Sequence, residues 1–382
     1  MNPVKIWIMK RIGFLLLLIS ALALTMPAFA QTRPAGLSDS QEPGSVIVFP
    51  KFIRGTVVLP EGVTAAQSEL EISVECPKGV TCAEQQAVKI RAHWVCGSSE
   101  ADQDNSFVCK ETDFDITCTV FEKCVLTPDG FQVGPGVPTK LVPRAECPRG
   151  YLIAWVIRPS DDHPIKFDGL IGDGVLREAG TALAAYTAIP IQADPKLASG
   201  AEVLTNGNGA LIFDGTANHY QMATGRVFND VRYTTTVPNT FSNVLSFGSL
   251  TLLTIEVKSN RPNFPVFVDL DFFGGNPSII GNENQLSTFT EFICWEEVAL
   301  TDIDENLTSA FMGRKGQVVS NAAEKVGIFG IQDDVGRATL LGLFETTEGP
   351  PAFLRAYYKA LFNDSNPVPT RFRPGPSPIF LP

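Results

Sequence analysis

The sequence lacks most of the signatures by which enzymes are recognised. It contains no G-x-S-x-G elbow, no H-E-x-x-H motif and no glycine-rich phosphate loop ending in Lys and Ser or Thr. Only three histidines occur, His93, His163 and His219, and no C-x-x-C pair is found, which argues against a zinc site. A Ser-His-Asp triad stays open because its members come from distant positions, with His163 and His219 as the candidate histidines.

Amphipathic helices and basic residues are also scarce. The helix-friendly run at 321–325 lasts only about one turn. The chain carries 30 Lys and Arg against 41 Asp and Glu, a net charge of −11. An acidic surface repels phosphate backbones and anionic lipids, so nucleic acid and anionic membrane surfaces are not expected partners.

The N-terminus has the pattern of a signal peptide. Lys5, Lys10 and Arg11 precede an apolar run at 14–26, and a small-x-small site ends at Ala30. The alternative is an uncleaved anchor helix, but this run is shorter than the roughly 20 residues that span a bilayer. Cleavage after Ala30 would leave 27 Lys and Arg against 41 acids, a net charge near −14. The sequence therefore predicts an exported protein that is periplasmic, surface-located or extracellular, and not integral to the membrane.

The eight cysteines fit export, because disulfides persist outside the reducing cytosol. Eight cysteines allow 105 pairings, so spacing alone leaves the connectivity open. We expect three local disulfides, Cys76–Cys82, Cys96–Cys109 and Cys118–Cys124. Cys147 and Cys294 would then be bonded between domains or free.

Alternating apolar and polar residues predict an all-β protein. The runs 70–76 and 88–96 each have one apolar and one polar face, which is typical of half-buried strands. This alternation places Trp94 inside and His93 on the solvent face. The segment 45–52 is the first predicted strand, the segment 127–148 is predicted to be a long irregular loop, and Trp295 is expected to face outward.

The densest β pattern lies at 147–177. The nearly continuous apolar run at 151–157 predicts a strand buried on both faces, and 164–171 reads as its return strand. Asp161, Asp162 and His163 would form the turn between them.

Two halves of the chain show a similar order of features, and the length allows two domains. The alternation at 253–257 and 266–272 follows the order seen at 70–76 and 88–96, and a second hairpin is expected at 325–345. We interpret this as two antiparallel β-sandwich domains, Ig-like or jelly-roll-like, related by internal duplication. The expected boundaries are a signal peptide at 1–30, a flexible lead-in at 31–43, domain 1 at 44–195, a linker at 196–209, domain 2 at 210–363 and a Pro-rich tail at 364–382.

Two segments carry a resemblance. GSVIVFPKF at 44–52 and HPIKFDGLIGDGVL at 163–176 resemble stretches of uncharacterised exported bacterial proteins. The resemblance implies a bacterial source and export. It implies no activity and no binding residues.

Carboxylates are the remaining candidates for chemistry. Asp168 and Asp173 flank a conspicuous F-D-G-L-I-G-D run, and Asp302 and Asp304 crowd a loop, although no EF-hand pattern is present. These four are the candidate metal ligands, with Ca²⁺ as the one cofactor considered.

The sequence favours a non-enzymatic structural, adhesive or ligand-binding module, with a cell-surface component or a glycan as the expected kind of partner. The alternatives are a polysaccharide hydrolase with an Asp/Glu acid–base pair and a Ca²⁺-stabilised carbohydrate-binding module.

Overall fold

A computed structural model describes residues 36, 38–39, 41–58, 62, 64–97, 110–134, 137–178, 182–205, 209–221, 228–232, 247–255, 266–273, 285–292, 295–306, 315–324, 338–348 and 353–357. The predicted signal peptide at 1–30 lies outside these residues. Strands dominate the described part, and every strand pair in it is antiparallel, which confirms the predicted all-β class.

We call the described residues between 36 and 221 the N-terminal half. Its strands are β1 (Val46–Ile53), β2 (Thr56–Val58), β3 (Thr64–Ala66), β4 (Ser68–Val74), β5 (Ala87–Cys96), β6 (Lys110–Thr119), β7 (Lys123–Thr127), β8 (Phe131–Gly134), β9 (Val137–Leu141), β10 (Arg149–Val156), β11 (Leu170–Glu178), β12 (Ala182–Thr187) and β13 (Ile189–Ile191). Sheet 1 has the order β13-β1-β10-β5-β6, sheet 2 has the order β12-β11-β4-β7-β8-β9, and β2 pairs with β3.

The described residues between 228 and 357 form the C-terminal half. Its elements are β14 (Phe228–Arg232), β15 (Phe247–Ile255), β16 (Val266–Phe273), β17 (Gln285–Phe292), β18 (Trp295–Ala299), the short helix α1 (Leu300–Ile303), β19 (Lys315–Glu324), β20 (Ala338–Glu348) and β21 (Phe353–Tyr357). Sheet 3 has the order β14-β19-β16-β17 and sheet 4 has the order β18-β15-β20-β21.

Sheets 1 and 2 pack face to face over an apolar core. Strand β4 alternates strictly between buried and half-buried residues, as its period of two predicts. Its buried residues Leu70 and Ile72 join Ile47 and Phe49 of β1 and Trp94 of β5 in one cluster. The inward position predicted for Trp94 is confirmed.

The central strands β1 and β10 of sheet 1 are buried on their other face as well. Tyr151 and Ile153 point away from the first core and are nevertheless fully buried. Strand β1 lies against β15 and β20, and β10 lies against β18, so sheet 4 covers this second face. The continuous apolar run of β10 therefore belongs to a central layer, and its predicted burial on both faces is confirmed.

Trp295 at the start of β18 anchors this contact. Its indole Nε1 donates a hydrogen bond to the carbonyl oxygen of Pro50 at 2.8 Å, and the side chain is buried. The prediction that Trp295 faces outward is therefore wrong. Gly97 makes the approach possible, because a Cβ at that position would lie 2.2 Å from the Trp295 carbonyl oxygen.

A buried ion pair joins the same two layers. The Lys51 Nζ lies 3.0 Å from Glu297 Oε1, and the Arg149 Nη1 lies 2.7 Å from Glu297 Oε2. Burial raises the pKa of Glu297, but the attraction of the two cations outweighs burial and holds that pKa below its ordinary value. Lys51 is fully buried, so this pair ties β1 to β18 by charge as well as by packing.

The 147–177 segment does not form the predicted hairpin. Strand β10 pairs with β1 and β5 in sheet 1, whereas β11 pairs with β4 and β12 in sheet 2. A bridge between Ile157 and Pro164 closes the turn, after which the chain crosses to the other sheet. The amide of Phe167 is held there by the Ser45 hydroxyl at 2.8 Å.

The segment 127–148 is also more regular than predicted. It contains β8 and β9, which extend sheet 2 at its edge. Gly130 adopts a positive φ of 105°, which lets the chain turn tightly between β7 and β8. The prolines and glycines that suggested a loop lie at the ends of these short strands and between them.

Two of the three expected disulfides are present. Cys76–Cys82 and Cys118–Cys124 are confirmed, but Cys96 bonds to Cys147 and not to Cys109. The reason is the pairing of β5 with β10, which places Cys96 opposite Gly150, close to Cys147 in the chain. Cys109 and Cys294 lie outside the described residues.

The two halves share a strand order. Sheet 1 contains the run β1-β10-β5-β6, and sheet 3 has β14-β19-β16-β17, which are the corresponding strands in chain order. Sheet 2 contains β12-β11-β4-β7, and sheet 4 read in reverse has β21-β20-β15-β18. The predicted hairpin partner at 325–337 lies outside the described residues, so the comparison uses strand order alone.

Among the described residues, no helix has the length and apolar character needed to cross a membrane.

Candidate functional site

The acidic turn after β10 is built from internal contacts. Asp161 Oδ1 accepts a hydrogen bond from the amide of His163 at 3.2 Å, and its Oδ2 accepts one from Arg158 at 2.6 Å. Asp162 has a φ of 63°, a left-handed conformation that Asp tolerates in turns. His163 Nδ1 lies 2.9 Å from Glu202 Oε1. These residues serve the turn, as the sequence predicts.

Asp162 also belongs to a group of ion pairs that we call the paired cluster, formed by Lys89, Arg91, Asp115 and Asp162. Lys89 Nζ lies 2.6 Å from Asp162 Oδ1 and 3.1 Å from Asp115 Oδ2. Arg91 donates through Nε and Nη2 to Asp115 at 2.9 and 3.3 Å. Two cations therefore face two carboxylates.

The two cations lower the pKa of both carboxylates. The hydrogen bond from Lys89 holds the pKa of Asp162 below its ordinary value. Partial burial raises the pKa of Asp115, but hydrogen bonds from Arg91 and Lys89 outweigh it and leave that pKa lowered. Both carboxylates are therefore ionised at neutral pH, and both are paired with the two cations.

Asp168, a candidate metal ligand, is a structural acceptor. Its Oδ1 accepts hydrogen bonds from the Ser45 hydroxyl at 2.6 Å and from the Ala193 amide at 3.0 Å. Burial raises the pKa of Asp168 in spite of these bonds and of Lys166 nearby. The residue links β1, the crossing segment and the chain after β13.

The other three candidates are spread over the fold. Asp173 lies in β11, between Glu71 of β4 and Thr187 of β12 in the pairing register. Asp302 is exposed in α1, and Asp304 Oδ1 accepts two hydrogen bonds from Asn306. None of the four predicted ligands belongs to the one group of three or more metal-ligating side chains found within the described ranges. Their calcium role stays a prediction.

The two triad histidines do not show triad geometry in the described residues. His219 Nδ1 lies 2.9 Å from both Asp214 Oδ1 and Thr216 Oγ1. A catalytic triad needs the carboxylate and the hydroxyl on opposite ring nitrogens, whereas here both meet the same nitrogen. Thr216 donates to Asp214 as well, so the three side chains close a turn.

One cluster was not predicted. His93, Glu111 and Asp113 place ligand atoms within 4.8 Å of one another on the face of sheet 1 that points away from the first core. His93 pairs with Asp113 across β5 and β6, and Glu111 is two residues away on the same face. We call these three residues the acidic cluster.

His93 is 6 % exposed, so its predicted solvent position is wrong. The alternation of β5 puts it outside the first core, but Trp155 of β10 packs against it on that face. The two rings meet edge to face with centroids 4.6 Å apart. Strand alternation puts Lys89, Arg91 and His93 on one face of β5 and Asp113 and Asp115 on one face of β6. The pairing of the two strands then brings these side chains together.

Comparison of the chain with protein-family models, with curated proteins and with solved structures gives no match.

Proposed function

We propose that the chain is an exported, non-enzymatic β-sandwich protein with a structural, adhesive or ligand-binding role. The observation that carries this proposal is the use of the acidic residues at 161–168 in internal contacts. Asp161 and Asp162 face cations, and Asp168 accepts two hydrogen bonds from its surroundings. A glycosidase needs two carboxylates that converge on a substrate bond, and these groups are turned toward the protein instead.

Export is supported by the signal-peptide pattern together with the disulfides. Three disulfides brace residues 76–147 of the described chain. Such density is typical of proteins that fold in an oxidising compartment. The resemblance of two segments to exported bacterial proteins points the same way.

Internal duplication is part of this proposal. The shared strand order supports two sandwich repeats, sheets 1 and 2 forming the first and sheets 3 and 4 the second. Sheet 4 of the second repeat covers sheet 1 of the first.

The proposal is tested with the full chain recovered from an oxidising compartment. Soluble polysaccharides and chromogenic glycosides are incubated with it, and binding to the same glycans is followed by thermal shift. We expect no turnover with any substrate. A glycan bound by the native state would raise the melting temperature without being cleaved.

The matched variants are Asp168→Asn and Asp173→Asn. Asp168→Asn keeps an oxygen for Ser45 and Ala193, so it should fold. Turnover by the wild-type chain that either variant abolishes, with the melting temperature retained, would replace this proposal by the hydrolase alternative.

A further inference from the structure

The acidic cluster contains polar atoms for which the protein supplies no hydrogen bond. Among the described residues, His93 Nδ1 and Glu111 Oε1 are buried atoms without a hydrogen-bond partner. Buried polar atoms are rarely left in this condition, because each has lost its hydrogen bonds to water without gaining one from the protein. His93 is more than nine-tenths buried, and its unpaired nitrogen points at the two carboxylates.

The spacing of these atoms is that of ligands around one small ion. His93 Nδ1 lies 3.2 Å from Asp113 Oδ1 and 3.5 Å from Glu111 Oε2, and neither contact has hydrogen-bond geometry. Ligands about 2.0–2.2 Å from a tetrahedral zinc ion lie about 3.3–3.6 Å from each other. The two measured distances fall close to this range.

Charge points in the same direction. Two carboxylates meet one histidine, whereas the paired cluster beside it matches two carboxylates with two cations. A divalent cation would neutralise the acidic cluster and would bond to the unpaired Nδ1 of His93. Partial burial favours the binding of such a cation, because the two carboxylates repel each other more strongly away from water.

We propose that His93, Glu111 and Asp113 bind a divalent transition-metal ion, with zinc as the best-fitting species. One imidazole nitrogen and two carboxylate oxygens are ligands that zinc accepts, and imidazole disfavours Ca²⁺ and Mg²⁺. The Asp113 side chain is 62 % exposed, so the remaining coordination position faces solvent and takes a water molecule. The ion would clamp β5 to the edge strand β6. This site is independent of the proposed function.

The test uses the full chain, produced without a polyhistidine tag in an oxidising compartment and stripped with a chelator. Zn²⁺, Mn²⁺, Ca²⁺ and Mg²⁺ are added separately, and calorimetric titration and the melting temperature are recorded. We expect one equivalent of Zn²⁺ per chain. At free zinc one hundred times Kd, the ratio of folded to unfolded chain rises about 100-fold.

Two matched variants assign the ion to this site. His93→Gln and His163→Gln each remove one histidine, but only His163 is exposed in a turn. His93→Gln should abolish the zinc response, and His163→Gln should retain it. Asp113→Asn alters an exposed side chain and should weaken zinc binding at least tenfold, since even outer-shell partners of metal ligands contribute 10–100-fold.

A separate spectroscopic readout reports the ligands directly. Co²⁺ in place of Zn²⁺ should give visible absorption bands, and Asp113→Asn should need at least ten times more Co²⁺ to reach the same absorbance. The proposal is overturned if no transition metal stabilises the wild-type chain, or if Asp113→Asn and His163→Gln respond to zinc like the wild type. Should His93→Gln fail to fold, the Asp113→Asn result decides.

Discussion

The paired cluster and the acidic cluster lie next to each other on the same two strands, yet they solve the burial of charge differently. In the paired cluster, Lys89 and Arg91 on β5 face Asp115 on β6 and Asp162 in the turn. One pair further along, His93 faces Asp113 and Glu111. The first group is balanced within the protein, and the second carries excess negative charge.

The two clusters also differ in how far they are buried. The paired cluster is partly exposed, with its side chains about one quarter to one half accessible. In the acidic cluster, His93 and Glu111 are each about one tenth exposed or less on their side chains. Unbalanced charge therefore occupies the drier position, the reverse of what stability alone favours. Such an arrangement is typical of a site that awaits a ligand.

The largest expected effect comes from the disulfide that fastens the acidic-cluster end of β5. Cys96–Cys147 spans 51 residues, for which chain entropy gives about 4 kcal/mol of stabilisation. Cys76–Cys82 spans 6 residues and should contribute about 2 kcal/mol. Urea unfolding of the double variants Cys96→Ala/Cys147→Ala and Cys76→Ala/Cys82→Ala should show this order. The loss at the first pair should also weaken zinc binding.

Peptide mapping under non-reducing conditions provides the control. It should recover Cys96 joined to Cys147, which leaves Cys109 and Cys294 as the expected remaining pair. Lys110 stands opposite Cys96, and Trp295 approaches Gly97, so the chain neighbours of the two remaining cysteines meet at one place. Recovery of Cys96 with Cys109, or equal losses for the two double variants, would contradict the prediction.

Local pattern was enough to predict much of the fold. The alternation of β4, the burial of β10 and the two six-residue disulfides follow from neighbouring residues alone. The crossing of the chain from sheet 1 to sheet 2 after Pro164 could not be predicted in this way, because an apolar run does not reveal which sheet it will join. The same limit explains Cys147, whose partner depends on the pairing of β5 with β10.

Predicting the candidate site also required contacts between residues that are distant in sequence. His93 looked solvated because its face of β5 is polar in sequence. Its ring packs against Trp155 of β10, a contact that the residues of β5 alone do not reveal. Strand alternation divides residues between two faces, and it gives no indication that both faces will be covered.

Replacing a single carboxylate by a carboxamide should change the stability of the metal-free chain in opposite directions in the two clusters. Asp115→Asn breaks contacts to Lys89 and Arg91 and should destabilise the metal-free chain by about 1 kcal/mol, the upper end for partly exposed ion pairs. Glu111→Gln removes a charge from the acidic cluster and should stabilise the metal-free chain by about 1 kcal/mol, the lower end of the cost of an unpaired buried group. Urea midpoints in the presence of a chelator measure both.

Zinc supplies the control for this pair. Saturating zinc should reverse the ranking of Glu111→Gln against the wild type, because the variant has lost a ligand, and should leave the penalty of Asp115→Asn unchanged. A destabilising Glu111→Gln in the absence of metal would mean that the protein already balances this carboxylate.

The smallest expected effect is a dependence on acid pH that the paired cluster creates. The pKa values of Asp115 and Asp162 are lowered in the folded chain, from an ordinary value of 3.8. Their stabilising contribution is therefore complete above about pH 4 and is lost as the pH falls through the folded-state values. Asp168 acts in the opposite direction, because its raised pKa makes protonation favour the folded state.

Urea midpoints between pH 5 and pH 2 should consequently fall more steeply in the wild-type chain than in Asp115→Asn, because the variant has lost one of the two carboxylates whose pKa is lowered in the folded state. Because the cluster is partly exposed, 0.5 M NaCl should reduce the difference between the two slopes. Parallel slopes at low salt would show that the four charges pair without stabilising the fold. The contrast between the clusters would then rest on burial alone, and the acidic cluster would differ from its neighbour by its unpaired atoms and not by its charge.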